Sequence, residues 1–262
     1  MRSHAPSNGL TRRDAVQRIA IGATALVVGA CRQLGASGTT ETQTEGRLTA
    51  RPHPPLKTPT TGLTPLGLDP TRDALLYVPK SYRPEVPAPL AVLLHGAGQE
   101  ANELIRPMQP FADEMGIVLA APNSRDSSWD VRYGGFGPDV VFINKMLERV
   151  FDQVRVASNR IALCGFSDGA SYALSLGLMN GDLFGHVLAF SPGFMVHPQP
   201  VGKPKIFLTH GTRDQILDID RTSRVLVPRL KKEGYTVEYR EFDGPHTVPR
   251  TLLRDAVTWM IS

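Results

Sequence analysis

The chain has 262 residues, 41% of them apolar and 21% charged, with a formal net charge of +4. That length suits one large α/β domain plus a tail rather than two enzyme-sized domains, and the apolar content excludes global disorder. The basic excess sits in the first thirty residues, where Arg2, Arg12, Arg13 and Arg18 stand against Asp14 alone; elsewhere no basic stripe with interleaved aromatics occurs, so nucleic acid is not an expected partner.

Residues 1–18 are polar and basic, and Ile19 to Ala30 then reads IAIGATALVVGA without a charge. A membrane-spanning helix needs roughly 20 apolar residues, so this run is too short to cross. A charged stretch followed by a short apolar run is the pattern of an export signal. Thr11-Arg12-Arg13-Asp14 resembles a twin-arginine signal, with Ala15 where a Phe is usual. Val28-Gly29-Ala30-Cys31 resembles a bacterial lipobox, whose cysteine thiol is diacylated and becomes the new N-terminus. These resemblances imply a cleaved signal over residues 1–30 and lipidation at Cys31. They imply a protein exported to the periplasm or cell envelope and held there on a membrane surface. Arg32 after the cysteine implies the outer membrane if the cell is Gram-negative. Residues 31–62, rich in Thr, Ser, Gly and Pro, read as a flexible tether.

From residue 63 to 262 the texture changes to short apolar runs alternating with longer amphipathic ones. Strands are expected at 64–68, Leu75–Val78, Leu90–Leu94, Ile117–Ala120, Ile161–Cys164, Val187–Phe190, Ile206–Thr209 and Thr236–Phe242. Helices are expected at about 101–115, 139–153, 168–179, 220–233 and 248–261. Pro138 and Asp139 suit a helix start, Pro for its fixed φ and Asp for the helix dipole. The middle strands are apolar at every position, as strands covered on both faces are. The alternation predicts a doubly wound, mostly parallel eight-stranded α/β sheet. In such sheets the functional residues follow the carboxyl ends of strands.

The fifth strand runs into Gly165-Phe166-Ser167-Asp168-Gly169, and a helix follows at once. A serine on so tight a turn is held out at the sheet edge, with glycines two residues away because a Cβ would collide. Ser167 is therefore the expected nucleophile. Its hydroxyl needs a base. Of seven histidines, His246 follows the last strand on Asp243-Gly244-Pro245, and the order serine, acid, histidine selects it; His197 is a weaker alternative. His95 and His210 sit in strand-end His-Gly pairs that suit turn geometry and hydrogen bonding. The acid is expected at Asp214, after the strand ending in His210-Gly211-Thr212-Arg213, with Asp218 and Asp220 further from the strand end. An oxyanion needs fixed N–H donors. The amides of Asp168 and of Ala97, in His95-Gly96-Ala97-Gly98, are the candidates, with Gly98 as the alternative to Ala97. Trp129, among the glycines of Ser124–Gly137, is a candidate for lining the substrate site or for anchoring a surface loop from the core. No spacing of His or Cys suggests a metal, and no phosphate-binding fingerprint suggests a nucleotide.

With these motifs, residues 88–262 resemble the phospholipase/carboxylesterase group of α/β-hydrolases, close to predicted serine esterases and acyl-protein-thioesterase-like enzymes. Likeness to feruloyl-esterase and polyhydroxyalkanoate-depolymerase-like enzymes is nearly as good. The resemblance implies hydrolysis of carboxylic esters or thioesters through an acyl-enzyme on Ser167, without a cofactor. It leaves acyl group, leaving group and oligomeric state open. The dozen or so residues Ser191–Pro204 between strands six and seven are too few for a cap domain, so an open site taking a small or surface-presented ester is expected. An acyltransferase or peptidase on the same triad, or a non-catalytic surface binding protein on a hydrolase scaffold, are the competing readings.

Overall fold

Runs such as Leu90-Ala91-Val92-Leu93-Leu94 are apolar at every position because both faces of their sheet are covered. The computed structural model describes residues 46–262. The expected signal, Cys31 and the first part of the expected tether lie outside the described residues. Eight strands form one sheet: β1 (Gly62–Pro65), β2 (Ala74–Val78), β3 (Ala88–Leu94), β4 (Val118–Pro122), β5 (Val156–Phe166), β6 (His186–Phe190), β7 (Lys205–Gly211) and β8 (Val237–Phe242). Their spatial order is β1-β2-β4-β3-β5-β6-β7-β8. β1 and β2 are antiparallel to their neighbours; every pairing from β4 through β8 is parallel. The chain reverses its direction of travel across the sheet between β4 and β5, leaving β3 and β5 side by side.

Five helices cover the sheet: α1 (Ala101–Met115), α2 (Pro138–Phe151), α3 (Asp168–Met179), α4 (Ser223–Lys232) and α5 (Arg250–Ile261). Side chains alternate along each strand, so Leu90, Val92 and Leu94 of β3 face α2, α3 and α4, while Ala91 and Leu93 face α1 and α5. Helix α1 contains Pro107 and Pro110, both on its exposed side, where solvent can reach the carbonyls that lose their N–H partners. No described helix is long and apolar enough to cross a membrane. Residues 191–204, between β6 and β7, contain no helix or strand, and among the described residues there is no cap domain.

Two strands differ from the expected ranges by more than two residues at one end. The first, expected at 64–68, ends at Pro65, because the Asp73 carboxylate takes the amides of Gly67 (2.6 Å) and Leu68 (2.8 Å) and turns the chain. β5 extends well before Ile161. Its polar segment Ser158-Asn159-Arg160 is exposed and hides the strand from any reading based on apolar runs.

Residues 46–50, within the expected tether, lie against the domain instead. Leu48 and Ala50 are buried. Two asparagines seize the backbone there. Asn180 at the end of α3 accepts from Leu48 N–H (2.8 Å) and donates to the carbonyls of Gly46 and Leu176 (2.8 Å each). Asn144 on α2 accepts from the amides of Thr49 (2.7 Å) and Ala50 (2.8 Å). Arg47 and Arg51 both pair with Asp182. Low apolar content conceals a docked strand-like segment whose hydrogen bonds go to side chains. Asn180→Ala removes three buried bonds and strands their backbone partners. It is expected to lower stability by about 2–4 kcal/mol in urea denaturation; a loss below about 0.5 kcal/mol would mean that the segment is not held this way.

Candidate active site

The carboxyl edge of the sheet gathers residues far apart in sequence. β5 delivers Ser167, whose backbone is left-handed at φ 56°, a conformation costly for any residue but glycine. Its neighbours explain why the turn is obligatory. A Cβ on Gly165 would lie 2.1 Å from the Gly169 carbonyl oxygen, and one on Gly169 would lie 2.1 Å from that of Leu94. The first turn of α3 is thus pressed against the ends of β3 and β5. The Ser167 amide donates to the Phe190 carbonyl (2.9 Å), which fixes the turn to β6.

His246 Nε2 lies 2.8 Å from Ser167 Oγ, and its Nδ1 lies 2.6 Å from Asp214 Oδ2. The Asp214 carboxylate can only accept, so Nδ1 carries a proton and Nε2 is left to accept from the serine hydroxyl. Asp214 is fully enclosed. Burial opposes its charge, but the amide of Leu217, the His246 ring and the amide of Ile216 together outweigh this and hold its pKa below the usual carboxylate range. His210 adds a further donor: its Nε2 lies 2.8 Å from the Leu217 carbonyl and 3.1 Å from Asp214 Oδ2, while Nδ1 accepts from Ser223 (2.6 Å). Burial lowers the His210 pKa and keeps this ring neutral. The acid and base loops are tied together, since the amides of Thr212 and Arg213 donate to the carbonyls of Phe242 and Gly244. Asp218 and Asp220 are on the surface, with Asp220 paired to Arg224. His197 lies apart, beside Glu233.

Beside Ser167, the loop after β3 aims its amides unequally. Gly96 N–H is occupied by Gln99 Oε1 (2.9 Å) and Gly98 N–H by the Ser127 carbonyl (2.7 Å). Gly98 is therefore unavailable as a second oxyanion donor. Among the described residues the amides of Ala97 and Asp168 have no acceptor. His95 braces the loop: its Nε2 accepts from Ser124 N–H (3.0 Å), its Nδ1 donates to the Gly96 carbonyl (2.8 Å), and burial lowers its pKa.

A family model described as phospholipase/carboxylesterase matches residues 138–260, a stretch that holds Ser167, Asp214 and His246 and leaves out Ala97. Over this stretch the chain is similar to the phospholipase/carboxylesterase family. Feruloyl esterase C of Emericella nidulans is 27% identical over 157 residues, covering 57% of each chain. The chain spans about half the length of the curated relatives it matches. Among solved structures, it resembles the esterase PE8 (24% identity, 67% and 95% coverage, TM-score 0.55). It also resembles an S-formylglutathione hydrolase from Staphylococcus aureus (14% identity, 77% and 100% coverage, TM-score 0.62).

Trp129 does not line the site. It is 1% exposed, stacks on Tyr172 (5.1 Å between centroids), and donates from Nε1 to the His95 carbonyl (2.8 Å). It anchors the 124–137 loop and holds the Ala97 loop from behind. Two side chains of that loop matter more than its composition suggests. Asp168, expected to contribute only its amide, accepts from Ser128 Oγ (2.8 Å) and pairs through both oxygens with Arg132 (2.9 and 2.7 Å). Tyr133 next to it is exposed at the rim. Among the described residues no cluster of three His, Cys, Asp or Glu could hold a metal.

The loop closes on a reciprocal pair of carboxylates, Asp139 buried and Asp130 partly so. Asp130 accepts from the amides of Gly137 (2.9 Å) and Asp139 (2.8 Å), and so caps α2. Asp139, expected to serve the helix dipole, reaches back to the amides of Arg125 (2.6 Å) and Asp130 (2.7 Å). Burial, then the neighbouring Asp130 charge, pushes Asp139 up to about 6. A carboxyl raised in the folded state adds stability that is full below its unfolded pKa, about 3.9, and is lost as pH rises through 6. Relative to Asp139→Asn, the wild type is therefore expected to lose about 2 kcal/mol between pH 4 and pH 7. Urea melts at a series of pH values would show this; a difference that stays constant with pH would contradict it.

Proposed function

We propose that the protein is a serine hydrolase acting on carboxylic esters or thioesters. The observation that carries this reading is Ser167 Oγ hydrogen-bonded to His246 Nε2, with two partner-free amides, Ala97 and Asp168, on the adjoining loop and helix start. In the mechanism, His246 takes the Ser167 proton as Oγ attacks the ester carbonyl. The resulting oxyanion lies against the Ala97 and Asp168 amides, which need no reorientation when charge develops. Asp214 steadies the imidazolium. His246 then returns the proton to the departing alcohol or thiol oxygen or sulfur, leaving an acyl-Ser167 ester. A water, deprotonated by the same imidazole, releases the acid. The family match and the feruloyl esterase relative support esters as the substrate class. The loop-only connection over residues 191–204 favours small or surface-presented esters.

We further propose, from Arg12-Arg13 and Val28-Gly29-Ala30-Cys31 in the leader, that the enzyme is exported and anchored by lipid on Cys31 at the cell envelope. A single acyl chain binds membranes marginally, whereas several hold firmly, which suits attack on surface-presented esters.

A fluorophosphonate probe is expected to label the wild type and not Ser167→Ala. The same substitution should lower kcat on 4-nitrophenyl esters by at least about 10³-fold. A folded wild type that resists the probe would instead favour a non-catalytic binding protein. Turnover of peptide amides but not of oxygen esters or thioesters would favour a peptidase. Metabolic palmitate labelling should be lost in Cys31→Ala, and its persistence there would refute the anchor.

A further inference from the structure

The residue after the nucleophile carries a charge of the wrong sign for an oxyanion hole. Asp168 offers its amide to the developing oxyanion, yet its own carboxylate is separated from that amide nitrogen only by Cα and Cβ. The carboxylate is almost fully enclosed, with a side-chain exposure of 8%. It sits at the N-terminus of α3, whose dipole favours it in the resting protein. A second negative charge forming on the substrate oxygen within the same few ångströms would be repelled, and with little water between them the repulsion is poorly screened.

Arg132 answers this charge. Its Nη1 contacts both Asp168 oxygens (2.9 and 2.7 Å), and Ser128 Oγ adds a third donor (2.8 Å). The rest of the guanidinium has no other acceptor among the described residues, and the side chain is 52% exposed. Nor is the pair needed to hold the loop. Trp129 on the His95 carbonyl, Gly98 on the Ser127 carbonyl, and the Asp130 and Asp139 carboxylates on three loop amides and the Asp139 amide already do so. A half-exposed ion pair adds little to stability by comparison.

We infer that Arg132 is a positioning residue for the reaction: it cancels the Asp168 charge, so that the Asp168 amide can stabilise the oxyanion. The inference rests on the serine-hydrolase reading above. Its consequence is specific. Removing the cation should penalise the transition state, where the oxyanion exists, and spare the ground state, where the ester is neutral.

The test is a double-mutant cycle on the full chain with 4-nitrophenyl butyrate. Arg132→Gln is expected to lower kcat about 10- to 100-fold while KM changes less than about twofold. Arg132→Lys, which keeps the charge, should recover most of that loss. In an Asp168→Asn background, where no carboxylate remains to be cancelled, Arg132→Gln should cost less than about threefold. Equal losses in both backgrounds, a loss confined to KM, or no loss would overturn the inference while leaving the esterase reading intact. A wild type inert to both ester and fluorophosphonate probe would overturn the two together.

Discussion

The close approach of α3 to the ends of β3 and β5 is the constraint on which the site depends. No side chain fits between the first turn of that helix and the Leu94 and His95 carbonyls, and this forces glycine at 169 and, on the other side of the turn, at 165. Ser167 then has nowhere to go but the left-handed region. Its strain, on the order of 1–3 kcal/mol, is sustained because the surrounding packing and the Phe190 carbonyl over-determine the turn. The same approach brings the N–H of Asp168 next to the loop that carries Ala97. The proposed nucleophile and oxyanion donors are thus consequences of a single packing distance, not separate acquisitions.

Around that fixed point the remaining groups are held rigid before any substrate arrives. Asp214 is oriented by two amides of its own loop and by His210, so the imidazole it grips has one orientation and one tautomer. The loops bearing acid and base are laced together by backbone bonds past the ends of β7 and β8. Each buried histidine outside the triad serves as a neutral bracket: His95 for the oxyanion loop, His210 for the acid. Burial is what keeps both uncharged, and neutrality is what lets each donate with one nitrogen and accept with the other.

What could be read from the sequence was whatever leaves a local trace. The order of apolar runs gave away the sheet, and glycines flanking a serine between a strand and a helix marked the elbow. Asp214 and His246 were legible because each follows a strand end. What escaped reading is held by contacts with no local trace. Nothing near Gly46–Ala50 reveals that Asn144 and Asn180, about a hundred residues away or more, satisfy its backbone. Trp129 among glycines looks the same whether it faces a substrate or buries its indole on the His95 carbonyl; only the partner decides. Asp139 resembled an ordinary helix-start acid, because sequence shows the residue and not the direction of its side chain. Between Ala97 and Gly98, the choice turns on which amide another acceptor has already taken.

The 124–137 loop shows how the two kinds of demand are reconciled. Its inner side must be immovable, since Ser124, Ser128 and Trp129 touch the oxyanion loop and the elbow directly. Its outer side, with Arg132, Tyr133, Gly134 and Gly135, is exposed to solvent. The Asp130 and Asp139 carboxylates meet the first demand by binding amides at both ends of the loop, and they do so without using that outer side. Rigid bracing and exposed side chains are therefore separated within fourteen residues of one loop, 124–137. Residues at the outer edge can change without loosening the bracing beneath them, unless, as at Arg132, the outer side chain reaches back to a carboxylate beside Ser167.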